Sequence, residues 1–202
     1  MIIMAECVQC SSYTKYQNGL CYECYQDKNG KSKPNSETPA LSGRELDYRY
    51  NMIKGRIAET LIQELFLSLK YPVFSYGMEN TIPGVMELLK GVKTEVANEI
   101  RRMPDFVIQN PRTSEVYFVE VKFRATGTLT RKDLPKNYPW GNAFFILVSK
   151  KHIKCITFDE LENGEEITPT SKNYLGNRKE FDLDKDTIRD FCEFALIFFQ
   201  GV

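Results

Sequence analysis

Hydrophobic and polar positions alternate in two short segments near the middle of the chain. Residues 106–109 and 116–123 are rich in β-branched and aromatic side chains, and the segment 110–114 between them contains Asn, Pro, Thr and Ser, which are typical of turns. The pattern predicts a β-hairpin with strands Phe106 to Gln109 and Val116 to Phe123.

The loop of this hairpin predicts how its strands pair. Pairing Asn110 with Glu115 around the loop places Asp105 opposite Glu120. Because side chains alternate along a strand, Glu120 and Lys122 share one face of the sheet, while the odd-numbered residues 117 to 123 point into a core. Two carboxylates and one lysine are therefore expected on a single patch.

Such a patch has the side chains that metal-dependent phosphodiester cleavage requires. Two clustered carboxylates repel each other unless a cation neutralises them, and hard oxygen ligands suit Mg²⁺ or Mn²⁺. A lysine one pleat further on can orient a metal-activated water or offset developing negative charge. The alternative is an ordinary amphipathic hairpin with a Glu–Lys pair on its solvent face.

A helix with a marked apolar face precedes the hairpin. Residues 54–70 have helical periodicity, and the pattern from Arg44 to Leu69 predicts one long or interrupted helix. At about 100° per residue, Glu59 lies at the edge of the apolar arc and Glu64 lies on the solvent side. Glu59 can therefore reach a neighbouring sheet, although a boundary glutamate can equally point into water. The apolar arc consists of Ala58, Leu61, Ile62, Leu65, Phe66 and Leu69.

The remaining patterns complete an α/β fold. The final helix is apolar nearly all round at its end, which suits either burial in the same chain or a subunit interface. The predicted elements are a strand at Tyr71 to Tyr76, an additional amphipathic helix within Asn80 to Arg102, a hairpin of Ala143 to Ser149 and Ile153 to Phe158, a polar surface segment from Glu162 to Glu180, and a helix at Lys185 to Phe199.

Taken in order, these residues resemble the PD-(D/E)XK nuclease superfamily. The resemblance rests on Gly55-Arg56-Ile57-Ala58-Glu59 on a helix, a following strand, Pro104-Asp105, and Glu120-Val121-Lys122. It covers residues 50 to 158, about half of the chain, and implies a restriction-endonuclease-like mixed central β-sheet flanked by helices. The implied core order is helix, strand, strand, strand, helix, strand. The segment 80–102 is an insertion relative to that order.

The resemblance also implies roles for the site residues. Asp105 and Glu120 would be metal ligands with the Val121 carbonyl as a candidate third, Lys122 would be the catalytic lysine, and Glu59 would be the acidic residue of the first helix. The implied function is that of a Mg²⁺-dependent endonuclease, with DNA favoured over RNA. The alternative is a catalytically silent module that binds nucleic acid or supports assembly. Because one such centre cuts one strand, a homodimer or larger nucleoprotein complex is expected for duplex cleavage.

Four cysteines near the amino terminus form a second candidate site. Cys7 and Cys10 make one CxxC pair, and Cys21 and Cys24 make another. Two such pairs can present four thiolates to a tetrahedral Zn²⁺, and a module this small needs a metal because it cannot bury an adequate core. The segment resembles a zinc ribbon or treble-clef-like knuckle. Zinc is the predicted ligand, with disulfides and an iron–sulfur cluster as alternatives.

The polar segment 28–43 predicts a flexible linker between the cysteine module, residues 1–27, and the nuclease-like domain, residues 44–202. In a third hypothesis, the protein is a zinc-dependent regulator whose specificity lies in residues 7 to 24. The chain has 27 basic and 27 acidic residues, whereas a nonspecific nucleic-acid binder is usually more basic. Local basic clusters are candidate phosphate contacts or solvated surface charge: Arg101, Arg102, Arg124, Arg131 and Lys132.

Other patterns exclude several classes of protein. The apolar start Met1-Ile2-Ile3-Met4 is too short for a signal peptide, and no apolar run of about 18 residues predicts a membrane span. We therefore expect a cytoplasmic protein without membrane partners. His152 is the only histidine, which excludes hydrolases that need two histidines, and its neighbours predict a turn.

Overall fold

The structure is a computed structural model. The residues it describes form parts of two compact units, Met1–Leu46 and Asp47–Val202. Most of the predicted linker, residues 29–41, lies outside the described residues, as do residues 80–83 of the predicted additional helix. The described ranges are 5–10, 13–14, 19–28, 42–77 and 84–200.

The first unit contains a two-stranded antiparallel ribbon, β1 (Ala5–Glu6) and β2 (Tyr13–Thr14), followed by helix α1 (Tyr22–Lys28). The Val8 amide, between the first two cysteines Cys7 and Cys10, donates to the Gly19 carbonyl at 2.7 Å. Gly19 has a φ of +74°, and a Cβ there would come within 3.3 Å of the Val8 side chain, so glycine suits both the turn and this close approach.

The second unit is built on a five-stranded mixed sheet with the strand order β3-β4-β5-β6-β7. Neighbouring strands are antiparallel except for β5 and β6, which are parallel. The elements are α2 (Gly43–Ser68), which begins at the end of the first unit, then β3 (Val73–Ser75), α3 (Val85–Leu88), α4 (Glu95–Arg101), β4 (Phe106–Gln109), β5 (Val116–Phe123), β6 (Ala143–Val148), β7 (Ile153–Thr157), α5 (Phe158–Glu162) and α6 (Lys185–Phe198).

The register of the β4–β5 hairpin confirms the prediction. Pairing runs from Phe106 with Val119 to Gln109 with Val116, and the Asn110 amide donates to the Glu115 carbonyl at 2.8 Å. The Asn110 side chain stabilises the turn because its Oδ1 accepts from the backbone amide of Arg112 at 2.9 Å. One step beyond the ladder, this register places Asp105 opposite Glu120.

The main core lies between one face of the sheet and the two long helices, α2 and α6. The apolar arc predicted for α2 is confirmed, since five of its six members are buried and Leu69 packs against them. The opposite face of the sheet carries a second apolar cluster that includes Phe145, Leu147 and Leu161, against which Phe118 packs. Glu120 and Lys122 therefore belong to the face of β5 that points toward this second cluster.

The predicted additional helix within Asn80 to Arg102 is wrong where the structure describes it. Two short helices, α3 and α4, occupy this region, and Gly91 between them has a φ of +77°. Thr94 then begins α4, because its side chain accepts a hydrogen bond from the Ala97 amide. Among the apolar residues that have helical spacing in this region, Val85 and Leu89 are buried, whereas three others are exposed: Leu88, Val92 and Val96.

Two connections also differ from expectation. The crossover from β5 to β6, residues 124–142, contains only the 3₁₀ turn Arg131–Asp133 in the place where the resemblance implied a helix. The segment predicted as a polar surface excursion, Glu162 to Glu180, buries Ile167 and Leu175 completely. The backbone of Ile167 also pairs with that of Leu129 in the crossover, since each amide donates to the carbonyl of the other, at 2.9 and 3.0 Å.

Lys154 is a buried charge that the alternating pattern of β7 did not predict. Its ammonium group donates to the carbonyls of Thr168, Pro169 and Ser171 at 2.6, 3.1 and 2.7 Å, which uses all three of its protons. Burial lowers the pKa of Lys154 below its usual value. This lysine ties the segment after α5 to the edge strand of the sheet.

Within the described part of the chain, no helix combines the length and the apolar character that crossing a bilayer requires.

Candidate active site

Asp105 lies immediately before β4 and is buried. One oxygen of its carboxylate accepts a hydrogen bond from the Val121 amide at 2.7 Å, which fixes the side chain against the backbone of β5. The Asp105 carbonyl in turn accepts from the amides of Tyr76 and Gly77, at 2.9 and 3.3 Å, just after β3. Three neighbouring strands therefore determine where this carboxylate lies.

Glu120 and Lys122 belong to β5, the central strand of the sheet, and lie next to Asp105. Their side chains project from the same face and form an ion pair between Lys122 Nζ and Glu120 Oε1. The Glu120 side chain is 13% exposed and that of Lys122 is 31% exposed. The acid is thus largely shielded from water, while the ammonium group lies nearer the rim of the site.

Burial and like charge dominate the electrostatics of this site. The pKa of Asp105 is raised well above its usual value by burial, and then by the carboxylates of Glu120 and Glu59. The Val121 amide and Lys122 offset only part of this effect. Burial opposes the charged form of Lys122, but the Glu120 carboxylate outweighs it, so the pKa of Lys122 is raised. The site therefore concentrates more negative charge than its own cation neutralises.

Glu59 comes from α2, on the other side of the sheet from the Glu120 side chain. It lies beside the buried Ala58 and Ile62 and is itself partly buried, whereas Glu64 is exposed. Its carboxylate contributes to the raised pKa of Asp105, so it lies close enough to interact with that residue. The structure thus brings together Asp105, Glu120 and Lys122, and it places Glu59, the fourth residue predicted as catalytic, within electrostatic range of Asp105.

Two aromatic residues of the crossover border the site and were missed in the sequence. Tyr138 interacts with the carboxylates of Glu120 and Asp105, and its pKa is raised, chiefly by burial and then by these two charges. Trp140 packs against Phe118, with ring centroids 4.8 Å apart. The Tyr138 hydroxyl and the Trp140 indole N–H are buried without a hydrogen-bond partner among the described residues. The signal available in the sequence was the only tryptophan, placed just before a strand.

The candidate phosphate contacts differ in their surroundings. The Arg101 guanidinium donates to the Val92 carbonyl at 2.7 Å, and Arg131 pairs with Glu162, so both have partners within the fold. Arg124 and Lys132 are exposed. Arg102 donates to the Asn137 carbonyl at 2.6 Å and lines a cavity of about 650 Å³, whose lining also includes Lys93, Lys136 and Tyr138.

The four cysteines of the first unit converge. All four sulfur atoms lie within 4.8 Å of one another, which could hold a metal ion and is consistent with zinc. The sulfur atoms of Cys10 and Cys21 lie 3.6 Å apart, and the Cys24 amide donates to the Cys21 sulfur at 3.5 Å. Among the residues described, this is the only group of three or more Cys, His, Asp or Glu side chains that converges so closely.

The thiols of the cysteine cluster differ in the direction of their pKa shifts. The backbone amide of Cys21 is the main cause that lowers the pKa of Cys7 to about 6. Hydrogen bonding with the Cys10 side chain, followed by burial, raises the pKa of Cys24. One thiol is thus predisposed to ionise while a neighbour keeps its proton, as expected for sulfur atoms crowded together without a cation.

Comparisons with protein-family models, with curated proteins and with solved structures found no match to this chain.

Proposed function

We propose that the chain is a Mg²⁺-dependent endonuclease of the PD-(D/E)XK type that hydrolyses phosphodiester bonds, with DNA as the favoured substrate. The observation that supports this most strongly is the meeting of Asp105, Glu120 and Lys122 on one patch of a mixed five-stranded sheet. Glu59 of α2 adds a further carboxylate within electrostatic range.

The donor atoms at this patch fit a hard divalent cation. Asp105 and Glu120 offer carboxylate oxygens, and the raised pKa of Asp105 is the expected state of such a group without its counter-charge. In a β-strand, the N–H and C=O of one residue point to the same side. The Val121 amide donates to the Asp105 carboxylate, so the Val121 carbonyl also points toward the Asp105 side of β5. Asp105, Glu120 and the Val121 carbonyl would therefore hold the cation.

The side chains around this position have complementary roles in hydrolysis. A bound divalent cation would supply Lewis-acid stabilisation of the phosphate and a more acidic water. Lys122 can donate a hydrogen bond to the attacking water or to a phosphate oxygen. The nearby Glu120 carboxylate keeps the ammonium group of Lys122 charged. Attack of water on phosphorus breaks one P–O bond and leaves a phosphate end and a hydroxyl end.

We also propose that the cysteine cluster binds one zinc ion that stabilises the first unit. Tyr22 and Tyr25 are exposed on α1, and aromatic side chains of this kind can stack on nucleic-acid bases. In this proposal the first unit contributes to substrate binding and the second unit carries the cleavage chemistry.

Cleavage of labelled substrates tests the proposed activity. Single-stranded, duplex and branched DNA and RNA are incubated with the protein and Mg²⁺ or Mn²⁺. Asp105→Ala and Lys122→Ala should each reduce cleavage by at least about 100-fold, because each removes a group that acts on the developing charge. Asp159→Ala and Lys179→Ala are matched controls, since both residues are exposed, and they should cleave like the wild type.

Two results would contradict the proposal. Metal-dependent products that persist in both site variants would place the chemistry elsewhere. Tight binding without cleavage of any substrate, unchanged by either substitution, would favour a module that binds nucleic acid or supports assembly.

A further inference from the structure

An apolar groove runs between α2 and α6 in the second unit. It encloses about 640 Å³ and is lined on one side by Ile53 and Ile57 and on the other by Phe191, Phe194 and Phe198. Ile53, Phe194 and Phe198 are 54%, 45% and 57% exposed. Contiguous apolar side chains left this open are typical of surfaces that another protein covers.

The exposed side of α2 has the spacing of a helix-pairing seam. Ile53, Thr60 and Leu67 follow one another at intervals of seven residues, which is close to two helical turns, so they form a line along the helix. Leu67 is 41% exposed, and Thr60 at the centre is exposed and small. The core-facing residues of the same helix, such as Ile62 and Leu65, are fully buried, so α2 carries two distinct apolar faces.

Two opposite charges flank this seam at equal distances from Thr60. Arg56 lies four residues before Thr60, and Glu64 lies four residues after it; both are exposed and both line the groove. If two α2 helices lie antiparallel about a two-fold axis at Thr60, residues equally distant from Thr60 meet across the axis. Arg56 then faces Glu64 of the other copy, and Ile53 faces Leu67 of the other copy.

We propose that two copies of this chain form a symmetric dimer through this surface, with antiparallel α2 helices crossing at Thr60 and the α6 phenylalanines covered at the flanks. This pattern favours a second copy as the partner, because the chain is complementary to itself. The Arg56–Glu64 charge pair and the Ile53–Leu67 apolar pair would each form twice across the two-fold axis. The dimer does not depend on the proposed activity, although it would bring two acidic centres into one particle.

Charge reversal tests the two-fold pairing in the full-length chain. By sedimentation velocity, the wild type should be a dimer, and Arg56→Glu and Glu64→Arg should each raise the dimer dissociation constant by about tenfold or more, because each creates two like-charge contacts. An equimolar mixture of the two variants should regain wild-type association, since one copy then carries two acids along the seam and the other two bases. A purely structural effect of either substitution would not be rescued by mixing.

Oxidative cross-linking tests the position of the axis. Thr60→Cys should form a disulfide-linked dimer, because its two copies meet on the axis. Asn51→Cys is the matched control, since Asn51 is exposed and lies nine residues away, about 180° around the same helix.

Several outcomes would overturn the proposal, and none of them depends on cleavage. These are a wild-type chain that stays monomeric across the concentration range, a dimer that neither charge variant weakens, a mixture that fails to regain association, or a dimer that Thr60→Cys does not cross-link. A monomer whose groove is protected from hydrogen exchange would instead indicate that another part of this chain covers it.

Discussion

At the scale of single residues, the carboxylate of Asp105 lies where a charge is poorly solvated. It is buried beside two other acids, and its carboxylate accepts a hydrogen bond from the Val121 amide. Without a cation, the neutral acid is favoured, and the pKa of Asp105 rises. The same arrangement that binds a cation well thus destabilises the fold when the cation is missing.

Asp105→Asn should therefore stabilise the protein in buffer without Mg²⁺. A carboxyl whose pKa is higher in the folded than in the unfolded chain gives its full stability below the unfolded pKa, near 3.8, and loses it as the pH rises through the folded pKa. Asparagine removes that loss, and its side-chain oxygen can still accept from the Val121 amide. Urea denaturation at pH 8 should show a gain on the order of 1 kcal/mol in the free energy of unfolding.

Two conditions check the cause of this gain. It should shrink as the pH falls toward pH 3, below the unfolded pKa near 3.8, where Asp105 is protonated in both states. It should also shrink when Mg²⁺ is added to the wild type. The exposed Asp159→Asn should show neither effect. A variant less stable than the wild type at pH 8 without Mg²⁺ would contradict this account.

The residues also differ in how well the sequence predicted them. The convergence of Asp105 with Glu120 followed from strand alternation and one turn, which are local properties. No local pattern predicts the burial of Lys154, because its carbonyl partners at 168–171 lie more than ten positions away and come together only in the folded chain. Tyr138 reaches the acids by the same kind of long-range contact.

At the scale of elements, periodicity predicted α2, α6 and the two hairpins to within a few residues, because each has one clear face and clear ends. It failed at α3 and α4. Apolar residues on both sides of Gly91 keep helical spacing, but the left-handed backbone of this glycine and the cap at Thr94 divide the segment. Spacing alone cannot distinguish one helix from two short ones that meet at a turn.

The start of α5 is linked to Arg178 in the later segment, and this link predicts how stability depends on pH. Thr157 and Glu160 cap the helix, and the Glu160 carboxylate also accepts from Arg178 at 2.7 Å. Arg178 is the main cause that lowers the pKa of Glu160 below its usual 4.5. Such a group adds stability that is present above the unfolded pKa and is lost as the pH falls through the folded pKa.

Glu160→Gln should therefore lose less stability than the wild type between pH 6 and pH 3. At pH 6 the variant should be less stable by about 1–2 kcal/mol, because the charge-assisted pair with Arg178 is gone. Thermal unfolding across this pH range measures the difference. Glu166→Gln, at an exposed position, should follow the wild-type curve, and a difference that does not narrow at low pH would exclude the ion pair as its source.

At the scale of the whole molecule, the two units have separate sources of stability. The first unit relies on a small cluster around Cys7, Leu20 and Cys24, whereas the second has a large core. Cys21→Ser should abolish zinc binding, measured as metal content per chain, and unfold the first unit without lowering the melting temperature of the second. Hydrogen exchange resolved by segment separates the two events.

The control for this prediction is Cys192→Ser, a cysteine of α6 outside the cluster, which should keep its zinc. Loss of folded structure throughout residues 47–202 in Cys21→Ser would mean that the units are not independent. If the second unit stays folded but nucleic-acid binding is lost, the first unit provides the specificity, as the regulator hypothesis requires.

The parallel pairing of β5 with β6 has a consequence for the order of folding. The hairpin that brings Asp105 opposite Glu120 closes through the four-residue loop 111–114, whereas β6 joins β5 only after the crossover 124–142. Short loops close faster and at smaller entropic cost than long ones. We therefore expect the two acids to meet early along the folding pathway, and Tyr138 and Trp140 of the crossover to reach the site later. The nascent chain would thus expose its carboxylate pair to solvent ions before the site is enclosed.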